Sequence, residues 1–124
     1  MSSRKRILII DDHPLFREGL KSIIAGDRHF TVEGEAGDSR NGFALAKKIK
    51  PDVALVDISL PDESGMQLTR RIREALPDTR VMIVSMHSMI DYIVEAFQSG
   101  ATGYVVKESA AGRLVQGHHA VFQA

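Results

Sequence analysis

The chain has 124 residues, a length that fits one domain around a single hydrophobic core. Its 16 basic and 16 acidic side chains give a formal net charge of +0, which excludes an overall positive field that would attract nucleic acid or an anionic membrane. The absence of cysteine excludes disulfides and thiolate metal sites, and it fits a reducing cytosol, so we expect a cytoplasmic protein.

Five short apolar runs alternate with segments of helical periodicity along the chain. The first run, ILII, is too short for an export signal, which needs about 7 to 15 apolar residues, so we interpret it as a strand and expect no membrane partner. In chain order, strands are predicted at 7–10, 30–36, 53–58, 80–86 and 103–106. Helices are predicted at 14–26, 40–49, 64–76, 89–99 and 110–121.

The pattern of these elements predicts an α/β fold. Four of the strands are nearly continuous in apolar residues, which is typical of strands covered on both faces. Pro51 and Pro77 end the helices before the third and fourth strands. Five strand–helix units with right-handed crossovers predict a doubly wound parallel sheet, and the order 2-1-3-4-5 would make the first and third strands neighbours.

The first strand runs directly into two adjacent aspartates, Asp11 and Asp12. Adjacent carboxylates repel each other unless a cation, a basic side chain or solvent compensates. From this stretch alone, a helix cap by Asp12 is the favoured explanation. Ligands of a doubly wound sheet bind beyond the carboxyl ends of the strands, however, and Asp57, Ser85 and Lys107 also stand at such ends. An open pocket of carboxylates suits Mg²⁺, which we predict as the cofactor.

Four motifs in this order carry a family resemblance: DDHP, LVDISLP, VSM and GYVVKE. Together they resemble the receiver domain of two-component response regulators, with its flavodoxin-like, CheY-like fold, over essentially the whole of residues 1–124. The stretches DDHPLFREGL, SMHS and GATGYVVK further resemble the subgroup with a C-terminal LuxR/NarL-type helix-turn-helix DNA-binding domain.

The resemblance implies a role for each strand-end residue. Asp57 would accept a phosphoryl group from a sensor histidine kinase, although for this residue taken alone a buried strand-end carboxylate is the favoured interpretation. The implied Mg²⁺ site consists of Asp11, Asp12, Asp57 and the main-chain carbonyl of Ser59, with Asp12 binding the ion directly and Asp11 mainly through water. Lys107 would form a charge-assisted contact with the phosphoryl group.

The resemblance also implies a conformational switch. Ser85 would donate a hydrogen bond to a phosphoryl oxygen and move toward it. Tyr104 would change rotamer as that space opens, although a half-buried strand aromatic is the plainer interpretation of Tyr104. Met86 and His87 would line the mouth of the site. His13 and His87 are poorer metal ligands than the carboxylates, because Mg²⁺ is a hard cation.

The resemblance implies a signalling protein that catalyses only its own phosphotransfer and autodephosphorylation. We expect a homodimer that forms on phosphorylation, and contact with DNA only through a C-terminal domain that is absent from these residues. Glu108 stands where many receivers have proline, and because a non-proline cis bond costs roughly 2.5 to 4 kcal/mol, the Lys107–Glu108 peptide is predicted to be trans.

Two other functions use part of the same pattern. A small Mg²⁺-dependent phosphatase with an aspartyl nucleophile needs the same groups, but such enzymes tend to carry Asp-x-Asp on the first strand, and position 13 is His. A flavin carrier would share the fold, but its first loop should offer hydroxyl and N–H groups to phosphate instead of carboxylates. The phosphatase is the stronger of these alternatives.

Overall fold

One parallel sheet organises residues 4–86 and 89–107, the part of the chain that the structure, a computed structural model, describes. The strands are β1 (Lys5–Ile10), β2 (Phe30–Ala36), β3 (Val53–Asp57), β4 (Arg80–Ser85) and β5 (Gly103–Val106). The helices are α1 (Pro14–Ala25), α2 (Ser39–Ile49), α3 (Gly65–Ala75) and α4 (Ile90–Gln98). The strand order β2-β1-β3-β4-β5 confirms the predicted doubly wound α/β fold.

Two hydrophobic clusters cover the two faces of the sheet, because successive strand residues point to opposite sides. On one face, the alternate residues Ile7 and Ile9 of β1 pack with Leu20 of α1. On the other, Leu8 of β1 packs in a cluster that α2, α3 and α4 share, with Leu68 from α3. The central strands β1, β3 and β4 therefore read as continuous apolar runs, whereas the edge strand β2 is only partly buried.

The helix ends explain most of the differences from the predicted boundaries. Ser64, predicted inside a helix, is the N-cap of α3, where its hydroxyl accepts a hydrogen bond from the Met66 N–H at 3.1 Å. His13 occupies the N-cap position of α1 without a side-chain cap, so the alternative that Asp12 caps this helix is wrong. The helix predicted at 110–121 lies outside the described residues.

The turns before β3 and β4 lie where the two prolines predict them. α2 ends at Ile49, and Lys50 takes a left-handed conformation with a φ of 47° directly before Pro51. α3 ends at Ala75, two residues before Pro77. Within the described part of the chain, no helix has the length and apolar character needed to cross a membrane.

Candidate functional site

The register of the parallel strands brings the predicted site residues to one edge of the sheet. The last paired residues of β1 and β3 directly precede Asp11 and Asp57, which makes these carboxylates neighbours. On β4 and β5, Ser85 pairs with Val106, the residue before Lys107. Residues that are up to about 100 positions apart in sequence therefore meet at the carboxyl end of the sheet.

A buried cation lies between two of the carboxylates. The side chains of Asp11 and Asp57 are each 3% exposed, and that of Lys107 is 6% exposed. The Lys107 ammonium donates a hydrogen bond to Asp57 Oδ2 at 3.2 Å and lies 3.0 Å from Asp11 Oδ2. At this edge of the sheet one ammonium group lies between two carboxylates, so Lys107 neutralises only part of their negative charge.

His13 also points into this site, which we did not predict. Its Nδ1 atom lies 3.0 Å from Asp11 Oδ1, 3.2 Å from Asp12 Oδ1 and 2.7 Å from Lys107 Nζ. A neutral imidazole carries one N–H, so Nδ1 either donates to a carboxylate or accepts from Lys107, but not both. Its place directly after the two aspartates could have indicated this role. The His13 backbone N–H donates to Asp11 Oδ1 at 2.8 Å, and this hydrogen bond closes a local turn that holds the ring over the pocket.

The acidic pocket fits a hard divalent cation. Ligand atoms of Asp11, Asp12, His13 and Asp57 all lie within 4.8 Å of one another. Two buried carboxylate oxygens, Asp11 Oδ2 and Asp12 Oδ1, have no well-directed hydrogen bond to any residue that the structure describes. Carboxylate oxygens that are crowded together and lack a well-directed hydrogen bond are suitable ligands for Mg²⁺. The carboxylates are therefore compatible with the predicted cofactor.

Ser59 follows Asp57 closely in the β3–α3 loop. The Ser59 N–H donates to Asp57 Oδ1 at 3.2 Å, and Ser59 forms an isolated antiparallel β-bridge with Ser64 across the loop. The Ser59 side chain is exposed, while Ile58 and Leu60 on either side are buried in the core. The loop is thus held at both ends, with Ser59 at the rim of the pocket.

Gly65 is a second site residue that the sequence patterns did not identify. A Cβ atom at this position would lie 2.2 Å from the Asp57 carbonyl oxygen and 2.8 Å from Ile58 Cα. The Gly65 N–H also donates to the Ile58 carbonyl at 2.8 Å. The first residue of α3 therefore touches the backbone that carries Asp57, and a side chain has no room there.

Burial and the neighbouring Asp11 carboxylate raise the pKa of Asp57 above its ordinary value. The Ser59 N–H and Lys107 act in the opposite direction but do not cancel the effect. In the absence of a further cation, ionised Asp57 therefore lowers the stability of the folded state.

Asp57→Asn is expected to stabilise the metal-free chain at neutral pH. The unfolded chain loses this proton near 3.8 and the folded chain only at higher pH, so wild-type stability falls as the pH rises through that interval. Asparagine carries no charge and avoids this loss, so the two proteins should differ least in acid. Urea unfolding without divalent cations, at pH 7 and at about pH 3.5, checks this. A wild type that is more stable than the variant at pH 7 would contradict it.

The predicted switch residues lie on β4 and β5, on the side of β3 away from β1. Ser85 is fully buried at the end of β4, and Tyr104 is half-buried on β5 opposite Ile83. Met86 is exposed and lines, with His13 and Lys107, an open cavity of about 470 Å³. His87 and the Lys107–Glu108 peptide lie outside the described residues.

Known proteins are similar to this chain in sequence and in fold. The chain is 39% identical over 118 residues to the transcriptional regulatory protein DegU of Brevibacillus brevis, covering 95% of this chain and 50% of DegU. It is 34% identical over 113 residues to the nitrate/nitrite response regulator protein NarL of Escherichia coli, covering 91% of this chain and 52% of NarL. The chain thus spans about half the length of the curated relatives that it matches.

A solved structure agrees with these relatives. The signal receiver domain of a NarL protein from Mycobacterium tuberculosis is 33% identical, with a TM-score of 0.90 and 98% of each chain covered. These matches confirm the resemblance to the LuxR/NarL subgroup. Residues 7–118 match the response regulator receiver domain, and the chain belongs to that family.

Proposed function

We propose that this receiver domain takes a phosphoryl group from a sensor histidine kinase onto Asp57. The observation that carries the proposal is the buried Asp57 carboxylate hydrogen-bonded to Lys107 beside the Asp11–Asp12 pair. An acceptor oxygen, a fixed cation and a set of metal-binding carboxylates are the groups that phosphoryl transfer requires.

In the proposed transfer, an Asp57 oxygen attacks the phosphorus of a phosphohistidine. The new O–P bond forms as the N–P bond breaks, and the leaving imidazole keeps the bonding electron pair and takes up a proton. Lys107, already 3.2 Å from Asp57 Oδ2, then contacts the phosphoryl oxygens. When bound, Mg²⁺ would neutralise charge on those oxygens. Asp12 would hold the ion directly, Asp11 through water and Ser59 through its carbonyl.

The proposed output is a change of surface around α4 and β5. Ser85 turns toward the phosphoryl group, and Tyr104 fills the space that opens. The face of α4 carries exposed apolar side chains at helical spacing, namely Ile90, Val94 and Phe97. This face supports a homodimer that forms on phosphorylation. Because the relatives are named as transcriptional regulators, we propose control of transcription in the cytoplasm, with DNA bound by a separate C-terminal domain.

Intact-mass measurement after incubation with acetyl phosphate and Mg²⁺ tests the proposal. One phosphoryl group should be added to the wild type and none to Asp57→Asn, because the carboxylate is the acceptor. A chelator should suppress the addition strongly, since the carboxylates then lack their cation. A sample of purified histidine kinase with ATP should give the same result as the small donor.

Glu74→Gln is a matched control, because Glu74 is an exposed carboxylate on α3. It should be phosphorylated like the wild type. Equal incorporation by the wild type and Asp57→Asn would refute the assignment of the acceptor. Many turnovers on a phosphomonoester would instead support the phosphatase.

A further inference from the structure

Two carboxylates from different parts of the chain cap the N-terminus of α2. Asp38, the residue before the helix, accepts a hydrogen bond from the Asn41 N–H at 2.7 Å. Asp62, from the β3–α3 loop, accepts from the Ser39 N–H at 2.9 Å and from the Arg40 N–H at 3.0 Å. The first N–H groups of a helix have no partner within it, so Asp38 and Asp62 divide this task between them.

Glu63 adds a second attachment of the same loop. It accepts a hydrogen bond from the buried Ser39 hydroxyl and forms an ion pair with Arg71 of α3, with N and O 2.6 Å apart. The Arg71 guanidinium also lies 4.3 Å above the ring of Phe43 on α2. The loop is therefore tied to both α2 and α3 at positions 62 and 63.

This loop is also the one that leads away from Asp57. Ser59, five residues before Ser64 in the same loop, contacts Asp57 through its N–H and bridges to Ser64 at the start of α3. Asp62, which bonds to α2, is thus only three residues beyond Ser59, whose carbonyl is the proposed Mg²⁺ ligand. A loop that was free to shift at 62 would hold that carbonyl less well.

We infer that Asp62 is a positioning residue of the metal site: by bonding two N–H groups of α2, it fixes the loop that presents the Ser59 carbonyl to Mg²⁺. The inference rests on the proposed function, because it takes the Mg²⁺ site and the Ser59 ligand from it. Asp62 does not touch the ion. Its effect passes through the backbone between positions 59 and 62, and it makes the affinity for Mg²⁺ depend on the contact with α2.

A titration of ¹⁵N-labelled protein with MgCl₂ alone, followed by amide chemical shifts, gives the Kd of each variant. Asp62→Ala should weaken Mg²⁺ binding about 3- to 10-fold. Asp38→Ala removes the other cap of the same helix and the same charge but leaves the loop attached, so its Kd should stay within about twofold of the wild type. Asp62→Asn keeps one acceptor oxygen for one of the two N–H groups and places an NH2 group against the other, so its Kd should lie between those of the wild type and Asp62→Ala.

These outcomes separate the inference from its premise. If the wild type shows no saturable Mg²⁺ binding, the metal part of the proposed function fails. If the wild type binds and Asp62→Ala and Asp38→Ala weaken binding equally, α2 stability or long-range charge explains the effect and the inference is overturned. Asp62→Ala with the Kd of the wild type would also overturn it. If Asp62→Ala does not fold, the Kd of Asp62→Ser is compared with that of Asp38→Ala instead, because the short serine hydroxyl cannot accept from both N–H groups.

Discussion

Gly65→Ala is expected to lower the free energy of unfolding by about 3 kcal/mol, the upper part of the range for overpacked sites. The new Cβ would lie 2.2 Å from the Asp57 carbonyl oxygen, and backbone atoms, unlike a flexible side-chain tip, cannot move aside cheaply. At about 4 °C per kcal/mol for a domain of this size, the Tm should fall by roughly 10 °C. Because the strain falls on the backbone of Asp57, Mg²⁺ affinity should fall as well. Thermal unfolding and the MgCl₂ titration measure the two effects.

Gly19→Ala is the matched control for the helical glycine. Gly19 lies within α1, and a Cβ there would meet nothing within 4 Å. Alanine should stabilise the helix by roughly 0.5 to 1 kcal/mol, since glycine loses more backbone entropy on folding. If Gly65→Ala is as stable as the wild type while Gly19→Ala behaves as stated, the close approach of α3 to Asp57 is not a constraint on the fold.

Mg²⁺ is expected to stabilise the domain by about 2.7 kcal/mol at a concentration of 100 times its Kd, because a ligand that binds only the native state adds RT ln(1 + [L]/Kd). The physical source is the crowding of Asp11, Asp12 and Asp57, whose ligand atoms lie within 4.8 Å of one another. Lys107 compensates only part of this negative charge. Thermal unfolding in chelator and in a MgCl₂ series measures the gain, which should amount to roughly 10 °C.

Asp57→Asn distinguishes specific binding from a general salt effect. The variant keeps Asp11 and Asp12 but offers one fewer carboxylate, so it should start from a higher Tm in chelator and gain less from MgCl₂. NaCl at matched ionic strength should reproduce little of the wild-type gain, since buried charges are screened only weakly by salt. A wild-type Tm that is the same in chelator and in millimolar Mg²⁺ would rule out the metal site.

The sequence by itself determined the sheet and most of the residues at its edge. Apolar runs bounded by Pro51 and Pro77 predict buried strands because only strands covered on both faces have so few polar positions. Once the strands are parallel, the residues at their carboxyl ends must share one edge. That rule predicted the meeting of Asp57 with Lys107, and their separation of 3.2 Å bears it out. The family resemblance rested on four short motifs at these strand ends, and the family match over residues 7–118 confirms it.

The tertiary structure decided the contacts made by loops. His13 looked like a poor ligand beside an acid pair, and only the path of the β1–α1 turn shows its ring within 3.2 Å of Asp12. The DES stretch before Gly65 has no periodic pattern, so neither its hydrogen bonds to α2 nor the closeness of Gly65 to Asp57 could be predicted. Strand and helix positions follow from the spacing of apolar residues, which can be recognised within a short stretch of sequence. Loop contacts depend instead on where two distant segments end in space, and that is set only when the core packs.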